Sequence, residues 1–147
     1  MRLSHLFPVA LALAALLAAC SATPASDDGS DEEPRTIEIR MSDELRYNPA
    51  DINVTAGETV RFEVTNDGEV VHEFLIGDEA AQAEFAAEMA AGDTHGRMDA
   101  GVTVEPGQSE TFEYTFDGPE AALLAGCHEP GHYDGGMVAT IVVVDPS

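Results

Sequence analysis

Cys127-His128-Glu129-Pro130-Gly131-His132-Tyr133-Asp134-Gly135-Gly136-Met137 sets a thiol, an imidazole and a thioether at five-residue steps. Pro130, Gly131 and the Gly135-Gly136 pair mark this stretch as a loop. The almost continuous apolar run 137–144 follows it and reads as a buried strand. Far upstream, His72 stands in another apolar segment, on the same strand face as Phe74 and Ile76. The loop and its flanks therefore predict a β framework that brings distant residues to one end.

The chain outward from that loop supports this. Residues 36–41 alternate strictly, with Ile37, Ile39 and Met41 on one face. Ile52 and Val54 repeat the pattern, as do Val60, Phe62 and Val64 after the Ala56-Gly57 turn. Asn66-Asp67-Gly68 is a turn signal, and 70–76 reads as the next strand. Val102 and Val104 precede Pro106-Gly107, and Phe112, Tyr114 and Phe116 alternate before Asp117-Gly118-Pro119. Short alternating strands divided by Gly, Pro and Asn/Asp turns indicate an all-β sandwich or small barrel. One segment breaks the period. Across 78–91, Ala81, Phe85 and Met89 recur every four residues, which predicts an inserted amphipathic helix with Asp78 as N-cap and Gly92 as stop.

Taken singly, His72 reads as a core histidine, Cys127 as inert core and Met137 as packing at a strand start. Together they form a donor set. Soft sulfur ligands suit Cu(I), and imidazoles suit both copper oxidation states. Two imidazoles, one thiolate and a more distant thioether are what a mononuclear electron-transfer copper ion needs. Zinc, with Glu73 or Glu129 as general base, is the rival; a thioether is a poor fourth ligand for it. Loop cysteines are too few for a dinuclear copper site, and the spare His95 and His128 are too few for a multicopper oxidase. Met89, His95 and Met98 form a weaker set of secondary Cu(I) contacts. For Met89, packing beneath the helix is the simpler reading. His128 is expected to face solvent while Cys127 and His132 turn inward around it.

In its order of Asn66-Asp67-Gly68, His72-Glu73-Phe74 and Cys127 to Met137 before the last strand, the sequence resembles the cupredoxins, the family of plastocyanin and azurin. The resemblance covers essentially all of 35–147 and is strongest to an exported group associated with copper resistance. It implies a Greek-key β-sandwich holding one copper ion. His72, Cys127 and His132 would be equatorial ligands and Met137 the axial one. It further implies one-electron transfer rather than catalysis, with partner proteins docking near His132. The four-residue gap after Cys127 is longer than in plastocyanin, and the four-residue gap after His132 exceeds that of azurin. Glu73 stands where many relatives carry a small polar residue. These departures bear on potential and colour.

The first 19 residues combine a basic start, the apolar run 6–19 and Leu17-Ala18-Ala19-Cys20, the marks of a secretory signal. The ending resembles a bacterial lipobox, which implies cleavage before Cys20 and lipid on that residue; ordinary cleavage nearby is the alternative. Residues 20–34 lack large apolar side chains and read as an acidic disordered tether. Residues 35–147 then form one domain. The expected protein is exported, lipid-anchored on a periplasmic or extracellular face, and monomeric. Lipidation leaves Cys127 as a lone thiol, which calls for a reason in an exported protein; a Cys20–Cys127 disulfide would need the tether to fold back. The chain has 28 Asp and Glu against six Arg and no Lys, a net charge of −22. Nucleic acid and anionic surfaces would repel such a body. A copper-buffering or copper-tolerance role is the alternative to electron transfer.

Overall fold

The computed structural model describes residues 33–92, 100–118 and 123–146. The signal segment, Cys20, nearly all of the tether, His95 and Met98 lie outside the described residues. In chain order the elements are β1 (Arg35–Ser42), β2 (Arg46–Asn48), β3 (Asp51–Thr55), β4 (Thr59–Asn66) and β5 (His72–Gly77). They continue with α1 (Glu79–Ala90), β6 (Gly101–Val104), β7 (Ser109–Thr115), β8 (Leu123–Gly126) and β9 (Val138–Val144). A four-stranded sheet runs β2-β1-β4-β7, and a five-stranded sheet runs β3-β9-β8-β5-β6.

The expected Greek-key sandwich is the observed one, with two features beyond the sequence reading. β1 pairs parallel with β4, and β3 pairs parallel with β9, so both sheets are mixed. β2 and β8 are strands of only three and four residues. In register, Ile39 lies beside Val64 and Phe62 beside Phe112, while Ile52 and Leu123 both flank Ile141. These positions share the inner faces and form one core. Phe62 of β4 meets Phe74 of β5 across the gap, with ring centroids 5.5 Å apart. Burying each such ring contributes about 1.5–3 kcal/mol.

β5 is buried along its whole length. His72, Phe74 and Ile76 face inward, and α1 covers the opposite face. The strand starts at His72 rather than Val70, which is 46% exposed. Asp78 caps α1, its Oδ1 accepting from Ala81 N at 2.8 Å. The covering face of α1 is Gln82 and Phe85, with Ala81 exposed and Met89 half-buried. Phe85 lies on the expected stripe, and Gln82 rather than Ala81 completes it, because its amide is buried through hydrogen bonds. Among the described residues, no helix is long and apolar enough to cross a membrane.

Candidate metal centre

Three adjacent strands deliver the donors to one end of the sandwich. His72 opens β5, Cys127 directly follows β8 and Met137 directly precedes β9. The intervening loop is tightly bonded. His132 N donates to Glu129 O at 2.9 Å, Gly135 N to Gly131 O at 3.0 Å, and Gly136 N to Tyr133 O at 2.9 Å. Gly131 and Gly136 adopt φ of 84° and 94°, which a side chain would resist. The loop closes when Met137 N donates to His132 O at 3.0 Å and Cys127 N donates to Met137 O at 3.2 Å.

Within this frame His72, Cys127 and His132 present donor atoms that all lie within 4.8 Å of one another. His72 Nδ1 is 3.3 Å from His132 Nδ1, and Cys127 Sγ is 3.3 Å from the same nitrogen. A point equidistant from three such atoms lies about 2 Å from each, the length of a metal–nitrogen or metal–thiolate bond. His72 and Cys127 are buried and His132 is partly exposed. Met137 is fully buried, with its backbone tied to both Cys127 and His132. The residues present therefore fit a soft cation held by two imidazoles and one sulfur.

The electrostatics of the donors point the same way. Burial pushes the Cys127 thiol up to about 12, against a smaller opposing effect of the Glu73 and Glu129 amides that donate to its sulfur. Glu73 N lies 3.3 Å from Sγ. A cation must therefore displace the thiol proton. Burial also lowers the pKa of His72, against the opposing pull of Asp43, and favours the neutral, ligating imidazole.

His128 departs from expectation. It is 8% exposed rather than solvent-facing. Strand alternation does not carry past Gly126, where β8 ends, and the His128 backbone amide turns inward. His128 N donates to Glu73 Oε2 at 2.9 Å, and Nε2 bonds Gln82 Oε1 at 2.7 Å. Gln82 Nε2 already donates to Leu75 O at 3.0 Å and Leu124 O at 3.2 Å, so its oxygen accepts and His128 donates. Tyr133 stacks on the ring at 4.7 Å, and Phe85 meets it edge-on at 5.3 Å. Glu73, nominated as a general base, is 1% exposed and engaged with the loop amide rather than facing a cleft.

Met89 lines a groove of about 470 Å³ with His128, Pro130 and Tyr133, beside the loop and apart from the donor triad. The sequence reading missed Asp43, Arg46, Tyr47 and Gln82. Tyr47 Oη donates to Glu73 O at 2.5 Å. Only the isolated Gln in an alanine-rich helix carried a signal.

A family model described as a cupredoxin-like domain matches residues 9–116, a span that ends before Cys127. The chain is 40% identical over 110 residues to the copper-resistant cuproprotein CopI of Rubrivivax gelatinosus, covering 74% of this chain and 66% of that protein. It thus spans just under two thirds of that relative's length. It is 34% identical over 141 residues to auracyanin-A of Chloroflexus aurantiacus, covering 85% of this chain and 87% of that one. The dithionite-reduced auracyanin of Roseiflexus castenholzii superposes with a TM-score of 0.64 at 26% identity, covering 74% of this chain and 96% of the other. The chain belongs to the cupredoxin family.

Proposed function

We propose that this chain is a mononuclear type 1 copper protein that carries single electrons on the outer side of a membrane. The convergence of His72 Nδ1, His132 Nδ1 and Cys127 Sγ at one buried point carries this reading. His72, Cys127 and His132 would hold the ion, with Met137 as the weaker axial ligand. Copper supplies a reversible one-electron couple when bound. The chain supplies rigidity, since sheet and loop hydrogen bonds fix the donors against rearrangement. The Glu73 and Glu129 amides donate to Cys127 Sγ and partly offset the burial that raises its pKa, leaving the bound ion to complete deprotonation. The partly exposed His132, preceded by Pro130 and Gly131, is the exit toward a redox partner. Voltammetry of the copper-loaded chain tests this: a reversible one-electron couple is expected, and its absence contradicts the proposal.

A second reading, copper tolerance, is favoured by the similarity to CopI. Deleting the gene and growing cells in excess copper separates the two, since unchanged tolerance counts against this role. Export and anchoring through lipid on Cys20 belong to the same proposal. Labelled palmitate should enter the wild-type chain and not Cys20→Ser.

A further inference from the structure

The donor triad uses one nitrogen of His72. The other, Nε2, lies 3.1 Å from Asp43 Oδ1. With Nδ1 directed at the triad, the ring proton sits on Nε2 and donates to the carboxylate. Asp43 belongs to the turn between β1 and β2, and two further hydrogen bonds hold its carboxylate in place. Glu69 N donates to Oδ2 at 2.8 Å, and Val70 N donates to Oδ1 at 3.4 Å. Gly68 leaves the necessary space, since a Cβ there would lie 2.1 Å from Oδ1.

The same turn reaches the ligand loop. Arg46 Nη1 donates to Gly135 O at 3.2 Å and Gly136 O at 3.3 Å, immediately before Met137. Leu45, at φ 58°, puts its Cδ1 2.3 Å from where a Cβ on Gly135 would stand. One turn thus braces both sources of donors, the strand and the loop.

Resting on the copper reading above, we infer that Asp43 is a positioning residue that sets the oxidation-state preference of the site. Its carboxylate fixes the His72 tautomer and makes the imidazole a stronger donor, as carboxylate–histidine pairs do at metal sites. It also places a negative charge one ring away from the ion. Both effects favour Cu(II), with its extra charge, over Cu(I). Solvent reaches 41% of the Asp43 side chain and screens the charge through space. The hydrogen bond through the ring is not screened in that way.

The test measures Cu(II) and Cu(I) affinities by chelator competition for the whole chain, Asp43→Asn and Glu44→Gln. Glu44 carries the same charge in the same turn and serves as control. Asp43→Asn is expected to keep the visible thiolate–copper band and to lose about tenfold more Cu(II) than Cu(I) affinity. That tenfold change in ratio equals a rise in reduction potential of about 59 mV. Equal loss of both affinities, an unmoved ratio, or the same change in Glu44→Gln overturns the inference while leaving the copper reading intact. A wild-type chain with no thiolate–copper band overturns both. If Asp43→Asn does not fold, proton NMR of the Cu(I)-loaded wild type decides. A slowly exchanging, strongly downfield His72 Nε2–H resonance supports the inference, and its absence refutes it.

Discussion

Replacing Gln82 with Met should destabilise the copper-free protein by about 2–5 kcal/mol, through lost polar partners rather than lost volume. Met fills a similar space, so a cavity adds little. The His128 Nε2–H, now buried beside Phe85 and Tyr133 without an acceptor, costs about 1–3 kcal/mol. Leu75 O and Leu124 O each lose one donor, at about 0.5–1 kcal/mol apiece. Against a total stability of about 5–15 kcal/mol this is a large fraction. In urea, with a slope of about 1–2 kcal/mol/M, the midpoint should fall by about 2 M with the slope unchanged. A double-mutant cycle isolates the polar link. His128→Phe should be costly alone, because it strands Gln82 Oε1. Added to Gln82→Met it should cost little more, since removing both partners of a buried hydrogen bond is nearly neutral. A coupling of at least about 1 kcal/mol is expected. Simple additivity of the two single variants would refute the claim that this bond pins α1 to the ligand loop.

Met137→Leu should leave copper bound and shift the reduction potential, because an axial thioether tunes rather than anchors; loss of copper on gel filtration would contradict that. Alkaline pH should destabilise the copper-free protein. The folded Cys127 thiol titrates at about 12 against an ordinary 9.0, so the unfolded chain ionises first. The stabilising effect is complete below about pH 9 and is lost as pH rises toward 12, with a slope of up to about 1.4 kcal/mol per unit. Urea midpoints measured at pH 8 and pH 10.5 should differ more for wild type than for Cys127→Ser. Asp78→Ala removes the cap on α1 and should lower thermal stability by about 1 kcal/mol, with the copper site intact by its spectrum.

The sandwich and the 127–137 loop were legible because each rests on a local pattern, whereas the meeting of His72 with that loop depends on the fold. Alternation revealed β1, β4 and β7, and the Cys127 to Met137 spacing revealed the loop. β2 and β8 were not legible, since Arg46-Tyr47-Asn48 and Leu123-Leu124-Ala125-Gly126 are too short to show a period. The parallel pairs β1–β4 and β3–β9 depend on how the chain crosses between sheets, which no single segment encodes. His128 was misread because a polar residue next to an inward-turned cysteine suggests solvent. Its burial requires Gln82 and Glu73, 46 and 55 residues away, to arrive together. The Asp43–His72 contact was invisible for the same reason, as it exists only once the β1–β2 turn folds against His72.

The most direct test of the central claim is the visible and electron paramagnetic resonance spectrum of the chain after Cu(II) addition, beside Cys127→Ser. An intense visible band with narrow copper hyperfine splitting is expected in the wild type, and loss of that band in the variant. A pale wild-type sample with ordinary wide splitting, or a variant that keeps the wild-type spectrum, would remove Cys127 from the metal and contradict the account.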